Sequence, residues 1–245
     1  MKRLIGFIAL MMFTLMACKK AEERSCWKSY GEMAELEIPL DSVNSFQLYK
    51  NLKYRFFQDD SRKIVVKGGS NVIGKVEVMT DNYVTTVKNT NSCNFLRDSD
   101  KKIEVEIHYP HFKDIHVEPS DSVIFEETIT GDSLFFEMRN GGGSAVLDVD
   151  LNFLRINVSH GAGDYKLSGS ANRAEVKIQN NGFADASHFN AASLFLFQNS
   201  TADLYINLEG SSVLLKLEGT GDVYYSGNYF LLSREGNGSG EFIKL

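Results

Sequence analysis

The sequence predicts an all-β protein, a parallel β-helix (β-solenoid) with coils of about 20 residues that an N-terminal β region caps. First, apolar and polar residues alternate in short segments such as 103–107 and 215–217, as they do in half-buried strands. Second, apolar residues that open such segments recur 20 residues apart, at Leu134, Leu154, Ala174, Leu194 and Leu214. Third, no long segment after the N-terminal apolar run keeps the spacing of an amphipathic helix.

The first element is an export signal. Lys2 and Arg3 precede an apolar run at 4–16, which is shorter than the roughly 20 residues that span a bilayer. The run ends in Leu-Met-Ala-Cys at 15–18, which resembles the lipobox of bacterial lipoproteins. That resemblance implies cleavage before Cys18, lipidation of Cys18, and stable attachment to a membrane through several acyl chains. An ordinary cleaved signal with a chance cysteine is the alternative.

Three segments follow from this interpretation. We expect a signal peptide at 1–17, a lipidated tether at 18–33 and one β-solenoid domain at 34–245. The expected location is the outer membrane, on either the cell surface or the periplasmic face.

The charge argues against nucleic acid as a partner. The chain has 26 Lys and Arg against 32 Asp and Glu, and no basic run exceeds two residues. Removing the signal deletes Lys2 and Arg3 but no acid, so the mature chain is still more acidic. Binding to a phosphate backbone requires clustered Lys and Arg.

Cys26 and Cys93 remain in the mature chain. In an oxidising compartment they could form one disulfide that joins the N-terminal arm to a loop. Two unpaired cysteines, with Cys26 buried beside Trp27, are the competing interpretation. Neither cysteine has the C-x-x-C spacing of a metal site, and we expect no metal or cofactor.

The segment from 34 to 94 has longer strands with less regular spacing, and we expect it to cap the first coil. After Leu134, each strand segment is followed by a turn rich in glycine, asparagine or small residues. A unit this small buries its apolar side chains only by stacking on the next. An antiparallel sandwich is the rival fold, but it gives no reason for equal steps along the chain.

Aspartates end four of these turns, at Asp164, Asp185, Asp203 and Asp222. Stacked coils could align them into a column of carboxylates that binds calcium. The alternative, which the irregular intervals favour, is that each aspartate caps local backbone groups in its own turn.

This order of elements resembles the family described as putative auto-transporter adhesin, head GIN domain. The resemblance covers about 43–245 and rests on 46–66, on the strand pair within 103–117, and on repeated strand-Gly-x-Gly-Asp units, of which 156–164 and 217–227 are the clearest. The family normally has a proline after the last of these units, where this chain has Asn228. The resemblance implies a right-handed β-helix with an adhesin function and no established catalytic residue.

The candidate chemistry is sparse. His108, His111, His116 and Asp114 could be imagined as a zinc site, but solvated surface histidines are the interpretation we prefer. A β-helical polysaccharide lyase or hydrolase is the alternative function, because glycan cleavage needs paired carboxylates. We predict instead a non-enzymatic binding or adhesion scaffold, with a polysaccharide or surface protein as its partner. Four aromatic residues could supply stacking surface: Phe183, Tyr224, Tyr225 and Tyr229.

Overall fold

The computed structural model describes residues 29–92 and 101–245, which form a nearly all-β solenoid of about seven turns. This confirms the predicted fold class. The strands are β1 (Met33–Pro39), β2 (Ser45–Leu48), β3 (Lys53–Phe57), β4 (Lys63–Gly69), β5 (Val76–Asp81), β6 (Val84–Asn89), β7 (Glu104–His108), β8 (Asp114–Val117), β9 (Val123–Phe125), β10 (Ile129–Gly141), β11 (Ser144–Gly161), β12 (Asp164–Asn180), β13 (Phe183–Ser200), β14 (Leu204–Asn207), β15 (Ser212–Leu217), β16 (Val223–Ser226), β17 (Leu231–Glu235) and β18 (Phe242–Lys244). A 3-10 turn, Ile73–Lys75, precedes β5. Within the described ranges no helix is long and apolar enough to cross a membrane.

Each complete coil contributes to three stacks of parallel segments. The A stack contains β2, β6, β8, β15 and β17 with 133–138, 153–158, 173–178 and 193–198. The B stack contains β3, β7, β9, β14, β16 and β18 with 144–147, 164–167 and 183–186. The C stack contains 129–132, 148–152, 168–172 and 188–192.

The core lies between the stacks as columns of inward side chains. Leu134, Leu154, Ala174 and Leu194 are in register and fully buried, so the predicted repeat of 20 residues holds there. The next member of the column is Val213, not Leu214, because the coil after β13 is one residue shorter. Leu214 points outward and is 40% exposed, which corrects its predicted place in the repeat.

The N-terminal region is more than a cap. β2 pairs in parallel with both β6 and β8, and β3 pairs in parallel with both β7 and β9. The first coil in sequence therefore lies inside the stack, between two coils that the chain forms later. The end of the solenoid is closed by antiparallel strands: β4 pairs with β7, β1 pairs with β4, and β5 pairs with β6.

One buried polar side chain replaces a hydrophobic residue in an inner column. Gln198 follows Val158 and Ile178 in the column and is fully buried. Its Nε2 donates to the carbonyl oxygens of Ser200 (3.2 Å) and Ala202 (2.9 Å), so the turn after β13 is closed by a side chain. Buried amide groups are tolerated when they are hydrogen-bonded in this way.

Candidate functional site

The outer side of the A stack carries aromatic rings and cations in adjacent columns. We call it the A surface, and its members alternate with the inward residues that fill the core. One column contains Asp114, Phe135, Arg155, Glu175, Phe195 and Leu214. The next contains His116, Glu137, Asn157, Lys177, Phe197 and Lys216, and Phe153 and Arg173 lie side by side at the corner with the C stack.

Cations lie over the rings of the A surface. Arg155 Cζ is 5.1 Å from the centroid of the Phe135 ring, and Arg173 Cζ is 5.7 Å from that of Phe153. Lys177 Nζ is 5.3 Å from the centroid of the Phe195 ring. These distances are in the range of cation–π attraction, which holds rings and cations together at a solvent-exposed sheet.

Arg155 and Glu175 form the best-defined ion pair on this surface. Arg155 Nε and Nη2 donate to the two carboxylate oxygens of Glu175 at 2.8 and 3.1 Å, and Lys177 Nζ lies 2.7 Å from the same carboxylate. The hydrogen bond from Arg155 is the main cause that lowers the pKa of Glu175 to about 2. Glu175 is therefore ionised at any physiological pH.

His116 lies in a groove of about 340 Å³ at the start of the A surface. Its Nε2 is 3.1 Å from Asp114 and its Nδ1 is 2.8 Å from Glu137, so two carboxylates flank one imidazole ring. The hydrogen bond with Asp114 is the main cause that raises the pKa of His116. The remaining walls of the groove are formed by Phe135, Phe136, Arg155, Asn157 and Lys177.

The predicted histidine cluster does not converge on one point. His108 lies on β7 in the B stack, where its Nδ1 is 2.7 Å from Asp59 and its ring stacks on Phe57. His111 is exposed in the loop before β8, and His116 is in the A stack. His108 and His116 differ from the solvated histidines that the sequence suggested, because both are half-buried and paired with carboxylates. Across 29–92 and 101–245, no group of three or more His, Cys, Asp or Glu side chains could hold a metal ion.

The turn aspartates do not form one column. Asp164 is in register with Phe183, and Asp185 is in register with Lys166 and Tyr205. Asp203 and Asp222 are aligned, and each accepts a backbone hydrogen bond from the following coil: Asp222 N donates to Asp203 at 2.8 Å, and Glu241 N donates to Asp222 at 2.8 Å. These two carboxylates cap backbone groups of the next coil and not of their own turn, which differs from the local capping that the turn interpretation expected.

The predicted aromatic residues divide between surface and core. Tyr224 lies on the outer side of the B stack and stacks on Tyr205, with ring centroids 4.9 Å apart, and Phe183 lies 5.9 Å from Tyr205. Tyr225 packs against the hydrophobic core instead, and its ring stacks on Phe242 at 4.2 Å. Tyr229 is exposed near the C-terminal end of the solenoid.

The sequence reasoning missed the phenylalanines of the A surface and Tyr205. A signal for the former was present, since Leu194 and Leu196 are inward members of β13 and strand alternation then places Phe195 and Phe197 outside. The predicted lipidation site Cys18 and the possible disulfide partners Cys26 and Cys93 lie outside the described residues.

The fold is similar to that of several solved bacterial proteins. A solved structure of a putative adhesin from Bacteroides fragilis is 20% identical, with a TM-score of 0.74 over 87% of this chain and 97% of that chain. A putative lipid binding protein from Parabacteroides distasonis is 14% identical, with a TM-score of 0.65 over 88% of this chain and 97% of that one. A putative adhesin from Parabacteroides merdae is 16% identical, with a TM-score of 0.60 over 88% and 97%.

No curated relative matches the sequence. The family model described as putative auto-transporter adhesin, head GIN domain, matches residues 44–228, which span most of the solenoid. The chain belongs to this family.

Proposed function

We propose that this protein is a non-enzymatic binding scaffold of the cell envelope, anchored through Cys18, that uses the A surface to adhere to its partner. The observation that carries the proposal is the outward position of Phe135, Phe153, Phe195 and Phe197. Their inward neighbours already fill the core, so these rings add nothing to it. Large apolar side chains gathered on the outside of a sheet are typical of an interaction surface.

The scaffold suits such a role because it is rigid. Phe195 and Phe197 lie on a strand paired in parallel on both sides, with β12 and with β15, so their backbone positions are fixed. A surface that is ordered before binding loses less conformational entropy when the partner arrives. Family membership supports a binding role, since the family is described as putative auto-transporter adhesin and two of the similar structures as putative adhesins.

The anchoring step is supported by the sequence at 15–18, and the acyl chains would hold the solenoid at a membrane. One of the similar structures is described as a putative lipid binding protein. A lipid surface is therefore included among the partners to be tested.

The experiment compares cells that produce the full chain with cells that produce Cys18→Ala or Phe195→Ser/Phe197→Ser. Adhesion to immobilised glycans, surface proteins and lipid layers is measured, and protease treatment of intact cells reports exposure. We expect the full chain to be cleaved at the surface and to support adhesion, and both variants to lose most of the adhesion. If cells that produce the full chain adhere no better than cells that lack the protein, the proposal is refuted.

A control separates binding from folding. Phe183→Ser removes an outward ring from the B stack, and its melting temperature is compared with that of the A-surface variant. Lost adhesion in both variants together with lowered melting temperatures would show that the phenylalanines act in packing rather than in binding.

Polysaccharide cleavage is the second candidate function. It is favoured by the groove where Asp114, His116 and Glu137 lie next to Arg155 and Lys177, since glycan cleavage uses carboxylates beside a proton-transferring group. Incubation of the full chain with polysaccharides distinguishes the two functions. A binding scaffold leaves the length of the polymer unchanged, whereas an enzyme shortens it.

A further inference from the structure

We propose that the ligand of the A surface is an acidic polysaccharide whose anionic groups lie against Arg173 and Lys216. This inference rests on the proposed function and adds the class of partner to it. The recognised chemistry is a sugar chain with carboxylate or sulfate groups.

Charges of opposite sign are segregated around the coil. The C stack carries Asp132, Asp148 and Asp150 on its outer side and contains no Lys or Arg in its four segments. The A surface carries Arg155, Arg173, Lys177 and, one coil further on, Lys216. Around these coils the cations lie mainly on the A surface although the chain has a net charge of −6, and a polyanion would be attracted to that side and repelled by the C stack.

The A surface also has carboxylates, and these distinguish a glycan from an anionic lipid layer. Asp114, Glu137 and Glu175 lie in the same two columns as the rings and the cations. Carboxylates only accept hydrogen bonds, and the hydroxyl groups of a sugar chain donate them, whereas the ionised phosphodiester groups of a lipid layer have no hydrogen to donate. Rings, cations and acceptors together match the apolar faces, anionic groups and hydroxyl groups of an acidic sugar chain.

The spacing of the coils suits an extended sugar chain. Neighbouring coils are about 4.8 Å apart, which is close to the advance of one sugar unit in an extended polysaccharide. Phe197 lies in one column between Lys177 and Lys216, with Lys216 Nζ 5.7 Å from its ring centroid. A sugar ring on Phe197 would therefore place an anionic group of the adjacent unit near Lys216.

Some of the cations are available to a ligand. Arg173 is exposed and makes no ion pair among the described residues, and Lys216 has only a long contact of 3.6 Å with Glu218. Exposed pairs of this kind contribute little stability and are readily exchanged for a ligand. Arg155 is different, because its guanidinium group already donates two hydrogen bonds to Glu175.

The test measures binding of the purified full chain, in detergent, to three soluble polymers: polygalacturonate, dextran sulfate and uncharged dextran. We expect binding to at least one of the two anionic polymers, and the arm that binds identifies carboxylate or sulfate as the preferred group. Binding should weaken as salt rises, because cations released from the polymer contribute to the affinity. Equal binding to uncharged dextran would overturn the proposal.

Matched variants locate the site. Arg173→Gln/Lys216→Gln removes two cations from the A surface, and Lys166→Gln/Lys244→Gln removes two from the B stack, so the change in net charge is identical. We expect the first pair to raise the dissociation constant about tenfold or more and to reduce the salt dependence, and the second to change it less than twofold. Equal losses in both pairs would show attraction by net charge alone and refute the site.

The aromatic contribution is tested with Phe197→Leu, which keeps apolar bulk but removes the flat ring, against Phe183→Leu in the B stack. Reduced affinity of Phe197→Leu with an unchanged melting temperature supports stacking of sugars, and unchanged affinity refutes it. Binding to vesicles of phosphatidylglycerol, lost in Arg173→Gln/Lys216→Gln, without binding to either anionic polymer would replace the glycan by a membrane.

The two proposals can fail separately. If cells adhere through the A surface and the purified chain binds neither anionic polymer, the adhesion function stands and the acidic glycan is wrong. If neither adhesion nor polymer binding occurs, both are wrong.

Discussion

The outer sides of the A stack and the C stack belong to the same coils and cover the same core, but their side chains do different things. In the C stack, short polar side chains bond from coil to coil: Asn172 donates to Asn152 at 2.9 Å, and Asn152 donates to Asp132 at 3.1 Å. Ser168 donates to Asp148 at 2.7 Å in the neighbouring column. These groups satisfy one another.

On the A surface, the side chains are long or aromatic, and several are only partly satisfied by their neighbours. Phe135, Phe195 and Phe197 remain half-exposed, and Arg173 has a ring but no carboxylate. The inward residues therefore determine the solenoid, and the outer sides are free to differ. The polar side chains of the C stack stabilise the stacked coils, whereas the side chains of the A surface remain available to a partner.

The largest expected effect tests how closely the backbones approach on the C side. Gly169 has φ +93°, and a Cβ atom there would overlap the carbonyl oxygen of Val149. We expect Gly169→Ala to lower the free energy of unfolding by about 2 kcal/mol or more, because both backbone strain and overlap must be relieved. Chemical denaturation measures it, and Gly142→Ala, which meets open space, is the control. Equal stability of the two variants would contradict the close approach.

The next effect concerns the side-chain hydrogen bonds that join neighbouring coils of the C stack. Asn152→Ala removes a donor to Asp132 and an acceptor from Asn172, and we expect a loss of about 1 kcal/mol of unfolding free energy. Ser193→Ala is the control, since no side-chain hydrogen bond of Ser193 is found among the described residues. Polymer binding should remain normal in Asn152→Ala. Loss of binding without loss of stability would reverse the roles assigned to the two sides.

A smaller effect concerns Glu175. Its pKa is lowered from 4.5 to about 2, so its contribution to stability is present above about pH 4.5 and is lost as the pH falls toward 2. Because the side chain of Arg155 is 44% exposed, solvent screens the pair, and we expect Glu175→Gln to cost about 1 kcal/mol or less at neutral pH. Denaturation between pH 2 and 7 should show a flatter profile for Glu175→Gln. An unchanged profile would mean that the ion pair is without energetic consequence.

The smallest effect concerns His116. Its pKa is raised above 6.5, so its stabilisation is complete below pH 6.5 and is lost as the pH rises through the raised value. As the pH rises through this range, the free energy of unfolding should fall by less than about 1 kcal/mol, since the site is partly solvated. We expect His116→Asn to abolish this fall. Nuclear magnetic resonance titration of the imidazole checks the direction. A pKa below 6.5 would contradict the pairing with Asp114 and Glu137.

The regular part of the fold was predictable because burial repeats in the sequence. The spacing of 20 residues alone predicts the buried column that contains Leu134, Leu154, Ala174 and Leu194. The later shift was not predictable, because residues 213–215 are all apolar and a slip by one residue leaves the pattern equally hydrophobic.

The N-terminal topology was beyond the sequence for a different reason. The pairing of β2 with β8 joins residues such as Ser45 and Asp114, and nothing local distinguishes this partner from a nearer strand.

The A surface was half predictable. Alternation places Phe195 and Phe197 outside, but the contact of Arg155 with Phe135 exists only once the register of the coils is known.

The position of the first coil inside the stack has a mechanical consequence if the chain is attached through its N-terminus, as we propose. A pull through the N-terminus would first strip β1 from the edge, since among the described strands β1 pairs with β4 alone. It would then have to draw β2 and β3 out from between two neighbours each, breaking rows of hydrogen bonds together instead of one at a time. Drag on an adhering cell would thus be resisted by the interior of the solenoid and not by its last rung.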